Sequence, residues 1–571
     1  MAKAVYVYVR DERNISKYKE RLKKILPNLV PDNIPDSPLE ISVSGQILKG
    51  IVNTRGIKYS TNKSLCLGQI FGDINNWDKP LGSYPDGAFC LFRSDDKYVE
   101  ILSDVGGSRT IWYYKDNNVF IASNSQRAIV ALKGSFHLDK KVLPWVLSTG
   151  TLGPGNSWDS EIYMLGINGN CVLRIEEWSL SEHSNKVSFK EEKISEEEQE
   201  KKFTEKIEES FIKTEYDYST WALPLSGGLD SRAILFFLKK LKNDFRNLRT
   251  ITWGIPEAIN RKGNDAFVAK KLATMLNLSH EYFILEDQDV TVDKIIDRFL
   301  IAGEGRVDAI SGYTDGFYIW KELFDKGIIG TLRGDQLYGG RDVSNEKDAL
   351  EAAGINFCSD YANLAKPEFN LSPQHLPDYL DRKDGESLLA WKDRLTIEYR
   401  SPIFKAALND LKLAYVEIAT PLITKGIIDR VLKMPDDQRL ERSLFRRIVK
   451  RISLPVEYAT EVSIKRPSDI FNDVRFINYF KGQLNKNITK EIFTEPLYNY
   501  IINSIGNSEK KNAKSSGKIS VQERLKKLVP LNIKRRLTRL KTSQTLDLNR
   551  LIFRAYLISR MTEILSSDAE K

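Results

Sequence analysis

Trp221-Ala222-Leu223-Pro224-Leu225-Ser226-Gly227-Gly228-Leu229-Asp230-Ser231, running on into Arg232-Ala233-Ile234-Leu235-Phe236-Phe237-Leu238, decides the fold. An apolar run of strand length meets a turn of small residues, and the apolar residues beyond it have the spacing of a helix. Two glycines without a Cβ let successive backbone N–H groups converge, and the start of a helix adds its partial positive charge. A concavity of this kind binds phosphate oxygens, and Asp230 beside it can hold the Mg²⁺ that accompanies them. The Gly-Lys-Ser/Thr ending of a Walker loop is missing, so no lysine from this turn reaches a terminal phosphate.

Outward from this turn, strand and helix patterns alternate. Strands are predicted at 221–225, 248–253, 281–285 and 327–332, and helices at 231–242, 264–277, 291–302 and 315–326. Alternation of this sort predicts an α/β fold with an open parallel sheet covered by helices. Upstream, Phe203, Ile207 and Phe211 recur four apart on a charged helix from Glu196 to Thr214. Residues 1 to about 190 read as β-rich, with short strands such as Tyr98–Leu102, Ile111–Tyr114 and Val119–Ala122 between Asn and Gly turns. Beyond about residue 390 the pattern is mostly helical and ends in Leu548–Leu565.

A second strand-end motif follows Gly327–Leu332: Arg333-Gly334-Asp335-Gln336-Leu337-Tyr338-Gly339-Gly340. Asp230 and Asp335 could share a Mg²⁺–pyrophosphate between them. A third element is Leu454-Pro455 followed by Ile464-Lys465-Arg466-Pro467, a cation delivered from a distant segment.

The three motifs in this order resemble the asparagine synthetase family, whose relatives include β-lactam synthetases and lasso peptide cyclases. Ser226–Ser231 looks like the pyrophosphate loop of enzymes that split ATP into AMP and pyrophosphate. Asp335–Gly340 is similar to the family's Asp-Glu-x-Phe-Gly-Gly, and Thr250–Gly254 to the strand whose end contacts adenine. The resemblance implies an N-terminal Ntn-hydrolase-like glutamine amidotransferase sandwich at 1–192. It implies a Rossmann-like pyrophosphate-loop synthetase domain with a helical C-terminal part at 193–505. Residues 506–571 remain as a basic extension and terminal helix. By the same resemblance Leu225, Trp253, Gly330 and Thr331 would line the adenosine pocket. Ser226, Gly227, Gly228 and Ser231 would hold pyrophosphate, Asp230 and Asp335 the magnesium, and Lys465 the transition-state charge. ATP and Mg²⁺ are the implied cofactors.

Two departures from the family bear on the substrate. Glutamine-dependent members begin Met-Cys, whereas this sequence begins Met1-Ala2-Lys3-Ala4, and the glutamine-binding stretch is reduced to Leu67-Gly68-Gln69. No thioester can form there. The expectation is a relic or a substrate platform, with ammonia or an amine supplied otherwise, by a separate glutaminase among other sources. Where asparagine-forming members carry glutamate and β-lactam-forming ones tyrosine, this chain has Leu332, which cannot act as a base. Glu304 and Tyr338 are the replacements the sequence offers.

The expected activity is an ATP-dependent ligase that adenylates a small-molecule or peptide carboxylate, which an amine or ammonia then attacks. An ammonia-dependent asparagine synthetase or a lasso-type macrocyclase would fit. Readings of another class are a tRNA-modifying enzyme with the same loop and a non-catalytic ATP-binding scaffold.

With 571 residues, 41% hydrophobic and 29% charged, the chain has the composition of a soluble protein of two or three domains. It has no apolar run long enough to span a membrane. Four cysteines at no metal-binding spacing predict a reduced, cytoplasmic protein. The net charge of +9 is local, because 510–541 holds 12 Lys or Arg against the single acid Glu523. That stretch is either a solvated linker and helix or a contact for an acidic partner or surface.

Overall fold

A computed structural model describes residues 3–34, 37–53, 56–242, 244–285, 290–464, 471, 473–504 and 545–571. Lys465 and the basic stretch 510–541 lie outside these described residues.

The amino-terminal part holds two six-stranded antiparallel sheets. Lys3–Val9 runs between Ile47–Val52 and Val119–Ser123 in the first of them. Side chains of a strand alternate between its two faces, and here both faces are dry. Ala4, Tyr6 and Tyr8 fill the space between the sheets with Leu67, Phe92, Ile101 and Phe120. Val5, Val7 and Val9 join the core that includes buried residues of helices Ile15–Ile25 and Gln126–Lys133. The aromatic–aliphatic alternation of this strand therefore sorts two kinds of core.

The carboxy-terminal part is built on a five-stranded, wholly parallel sheet. Its order is Ser279–Ile284, Arg249–Gly254, Trp221–Pro224, Gly330–Leu332, Glu417–Ala419. In chain order that is third, second, first, fourth, fifth. The connections reverse direction between the first and fourth strands, and ligands of open α/β sheets bind in the crevice outside the carboxyl ends at such a point. Leu223 and Leu332 pack into one helical layer with Phe203, Phe237 and Val268, whereas Ala222, Ile251 and Phe283 pack into the other. The second layer contains the terminal helix Leu548–Ala569. Phe553, Leu557 and Met561 are fully buried there. Arg127 Nε meets Asp568 at 2.7 Å, and Arg554 meets Asp308 at 2.7 Å. This helix thus bonds to both parts of the chain.

Several elements differ from the sequence reading. The helix expected at 315–326 is only Tyr318–Asp325, because Gly316 and Phe317 both take φ of +67° and Asp315 accepts from Phe317 N at 3.1 Å. The strand expected at 327–332 shrinks to Gly330–Leu332 after Gly327 turns the chain at φ +73°. Thr396–Lys405 is a π-helix with Pro402 inside it. Proline lacks an N–H and widens the turn; the Pro402 carbonyl accepts from Thr110 Oγ1 at 3.1 Å.

Candidate functional site

At the switch point, Leu225 leaves its strand by donating to Ile251 O at 2.8 Å. Ser226 Oγ and Ser231 Oγ lie 3.0 Å apart, and Gly228 N donates to Ser226 Oγ at 3.2 Å. Helix Leu229–Leu241 starts from Gly228, which has no side chain to cap it. Among the described residues the amides of Gly227, Leu229 and Asp230 meet no protein acceptor. Open donors at the start of a helix attract anions, phosphate among them.

A second segment straps this loop in place. Ala459 N donates to Gly227 O at 3.1 Å, and a Cβ on Gly227 would stand 2.4 Å from that of Ala459. Arg232 donates to Val456 O and Glu457 O at 2.6 and 2.8 Å and sits 4.0 Å from the Tyr458 ring centroid. Ser463 Oγ donates to Trp253 O at 2.7 Å, so the strap crosses the ends of both neighbouring strands. Ile464, the last residue described before Lys465, is exposed.

The fourth strand brings the second motif against the first. A Cβ on Gly334 would lie 2.7 Å from the backbone and Cβ of Asp230. Only glycine permits this approach. Gly334→Ala is expected to push Asp335 away from Asp230 and to lower the thermal midpoint; a melting curve of the variant beside the wild type checks it.

Asp230 and Asp335 are therefore neighbours, and cations surround them. Arg442 Nη1 meets Asp230 Oδ1 at 2.5 Å, and Arg333 Nε meets Asp335 Oδ2 at 2.7 Å. Burial raises the Asp230 carboxyl above its ordinary range, with Arg442 pulling the other way. Burial also acts to raise Asp335, but Arg333, Lys405 and Lys412 outweigh it and hold that carboxyl below its usual range. Burial pulls the Lys405 amine down to about 8 against the attraction of Asp335, and its Nζ donates to Gln336 O at 2.6 Å. Two carboxylates on contacting loops supply the hard oxygen donors that Mg²⁺ takes, each with one oxygen on an arginine, Asp230 Oδ1 on Arg442 and Asp335 Oδ2 on Arg333, and the other left for an ion.

The other sequence candidates fall as follows. Leu225 and Trp253 stand at the carboxyl ends of adjacent strands, and the Trp253 ring meets Trp320 edge-on at 5.6 Å. Gly330 does not reach the crevice. It starts its strand opposite Trp221, whose ring would lie 2.6 Å from an added Cβ. Thr331 is likewise buried in the sheet. Leu332 is fully buried. Glu304 is not available as a base: it is buried between the two parts of the chain, accepting from Ser125 Oγ and, at 2.8 Å, from Gln126 N. Tyr338 is buried beneath the loop with its ring edge on Phe203, and burial drives its hydroxyl far above the ordinary range. Arg333, Lys405, Lys412 and Arg442 escaped the sequence reading. Arg333 could have been found beside Gly334-Asp335, whereas the others carry no local signal.

Residues 219–323 match the family model described as asparagine synthase. The match supports an asparagine synthase-like domain in that segment, and with it an ATP-dependent amide-forming ligase in general. No curated protein matches the chain. A solved structure titled as that of the allosteric regulatory enzyme of purine biosynthesis aligns at 9% identity over 49% of this chain and 80% of its own, with a TM-score of 0.21. Among the described residues no helix is long and apolar enough to cross a membrane.

Proposed function

We propose that this chain is an AMP-forming carbon–nitrogen ligase. Its substrates would be ATP, a small-molecule or peptide carboxylate, and an amine or ammonia. The observation that carries the reading is the meeting, at the switch point of a parallel sheet, of open helix-start amides with two acids on adjoining loops.

In this reading Leu225 and Trp253 hold the base, and the amides of Gly227, Leu229 and Asp230 hold the β- and γ-phosphates. A carboxylate oxygen attacks the α-phosphorus; the new P–O bond forms as the bond to the β-phosphate oxygen breaks, and pyrophosphate leaves. Magnesium, held by Asp230 and Asp335, would supply charge neutralisation of the leaving group. Arg333 and Arg442 give the same corner fixed positive charge, with Lys405 beside them, and preorganised charge of this kind lowers the barrier without reorganisation. The amine then attacks the acyl carbon, the bond to AMP breaks, and the amine proton passes to solvent or to the departing phosphate. Leu332 supplies no base, so alignment of the amine with the anhydride does most of the work.

We place the source of nitrogen outside the amino-terminal part of this chain. Buried ionic groups pair across the seam between the two parts: Lys3 Nζ lies 3.7 Å from Glu304 and 3.8 Å from Asp410, and Arg306 Nη1 lies 2.5 Å from Asp410. Such packing favours an amine that enters from solvent or from a partner.

ATP–pyrophosphate exchange run against a panel of carboxylates, aspartate first, tests the function. Exchange that depends on one carboxylate is expected; ADP as the sole nucleotide product would overturn the reading.

A further inference from the structure

Asp104–Thr110 is a segment of the amino-terminal sandwich that bonds to Ser401, Pro402, Asn409 and Glu417 of the carboxy-terminal part, and it is tightly built. Asp104, buried, accepts from Gly106 N at 2.8 Å, from Ser108 Oγ at 2.5 Å and from Phe89 N at 3.2 Å. A Cβ on Gly106 would stand 2.6 Å from Ile423, and one on Gly107 2.5 Å from Ile167, so the glycine backbone packs directly against these side chains. Arg109 and Glu417, both fully buried, pair from this loop to the fifth strand of the parallel sheet.

Three consecutive contacts lead from this loop to the acids. Asn409 Nδ2 donates to Ser108 O at 3.0 Å. Arg333 Nη1 donates to Asn409 Oδ1 at 2.5 Å. Arg333 Nε pairs with Asp335 Oδ2 at 2.7 Å. Asn409 is 4% exposed, so its own carboxamide is held almost wholly out of water. A carboxamide can serve both neighbours at once, donating through nitrogen and accepting through oxygen. The planar guanidinium then transmits a fixed direction to the carboxylate.

A parallel set of bonds supports the same corner. Ser401 Oγ donates to Gly106 O at 2.5 Å and Thr110 Oγ1 to Pro402 O, both within the π-helix that ends at Lys405, whose amine reaches Gln336 O.

We propose that the amino-terminal sandwich is a positioning element of the nucleotide site, acting through Asn409, which locks Arg333 and thereby aims the Asp335 carboxylate. The proposal rests on the reading of Asp230 and Asp335 as the nucleotide–magnesium corner. It gives the sandwich a task that needs no glutamine hydrolysis. Partners that orient a ligating carboxylate from behind typically change affinity or activity by about 10–100-fold when removed.

The test uses the full chain and reads Mg·ATP affinity by calorimetry, together with thermal stability. Asn409→Leu is expected to weaken Mg·ATP binding at least about tenfold and to raise the Mg²⁺ concentration needed for half-saturation. Asn53→Ala is the control: its Nδ2 donates to Ala414 O at 2.7 Å across the same seam without touching Arg333. That variant should lose stability and keep its affinity. Wild-type affinity in Asn409→Leu, or equal loss of affinity in both variants, overturns the proposal. Asp335→Asn separates the two claims. If it binds Mg·ATP as well as the wild type does, the corner itself is misread; if it loses binding while Asn409→Leu does not, only the positioning role falls.

Discussion

Asp230→Ala is expected to abolish carboxylate-dependent ATP–pyrophosphate exchange while leaving the protein folded. The loss should exceed the roughly 100-fold that removing an outer-shell partner costs, because in the proposed mechanism Asp230 would itself hold the metal beside the leaving group. The fold should survive, since neither the carboxylate nor its partner Arg442 is sealed from water, 31% and 21% of their side chains being exposed, so water can solvate Arg442 once the carboxylate is gone. An unpaired Arg442 would still attract phosphate, so some affinity for ATP should remain when exchange has gone. Measuring exchange and ATP binding on the same preparation distinguishes a lost catalytic group from a lost pocket. Exchange at the wild-type rate would remove Asp230 from the mechanism.

The second large effect concerns stability. Arg109 and Glu417 are at most 2% exposed and form an ion pair across the two parts of the chain. Removing one member of a buried pair strands the other charge and costs about 3–5 kcal/mol. Glu417→Leu should therefore lower the urea midpoint of the main unfolding transition sharply. The double variant Arg109→Met with Glu417→Leu should recover much of that loss, because two apolar side chains of similar volume leave no charge stranded. A single variant as stable as the wild type would show that the pair is solvated in solution.

Much of the sheet was legible because its first three strands carry their apolar runs locally. Trp221–Pro224 and Arg249–Gly254 were expected within a residue or two of their ends. Glu417–Ala419 was not expected at all: three residues carry no periodicity, and this strand exists only because Gly330–Leu332 offers it an edge. Helix Gln126–Lys133 was hidden for a related reason, since it is only eight residues long, too short for its periodicity to stand out from the strands around it. At the site, the glycines and aspartates could be read because turns and ligand loops demand particular residue types at fixed spacing. The cations could not. Lys405 sits in a π-helix more than sixty residues from Asp335 in sequence, and Arg442 more than two hundred from Asp230, so only the fold makes them neighbours. Glu304 shows the converse error: an acid between two glycines looks free, yet tertiary packing has given it Ser125 and Gln126 to hold. Gly330 was likewise one strand-length too early to reach the crevice, a misplacement that only the register with Trp221 reveals.

The most direct measurement is a crystal structure of the full chain with Mg²⁺ and a non-hydrolysable ATP analogue. The account requires the β- and γ-phosphates on the amides of Gly227, Leu229 and Asp230, the cation between Asp230 and Asp335, and the base beside Leu225 and Trp253. A nucleotide bound elsewhere, or a crevice that stays empty at saturating analogue, would contradict it.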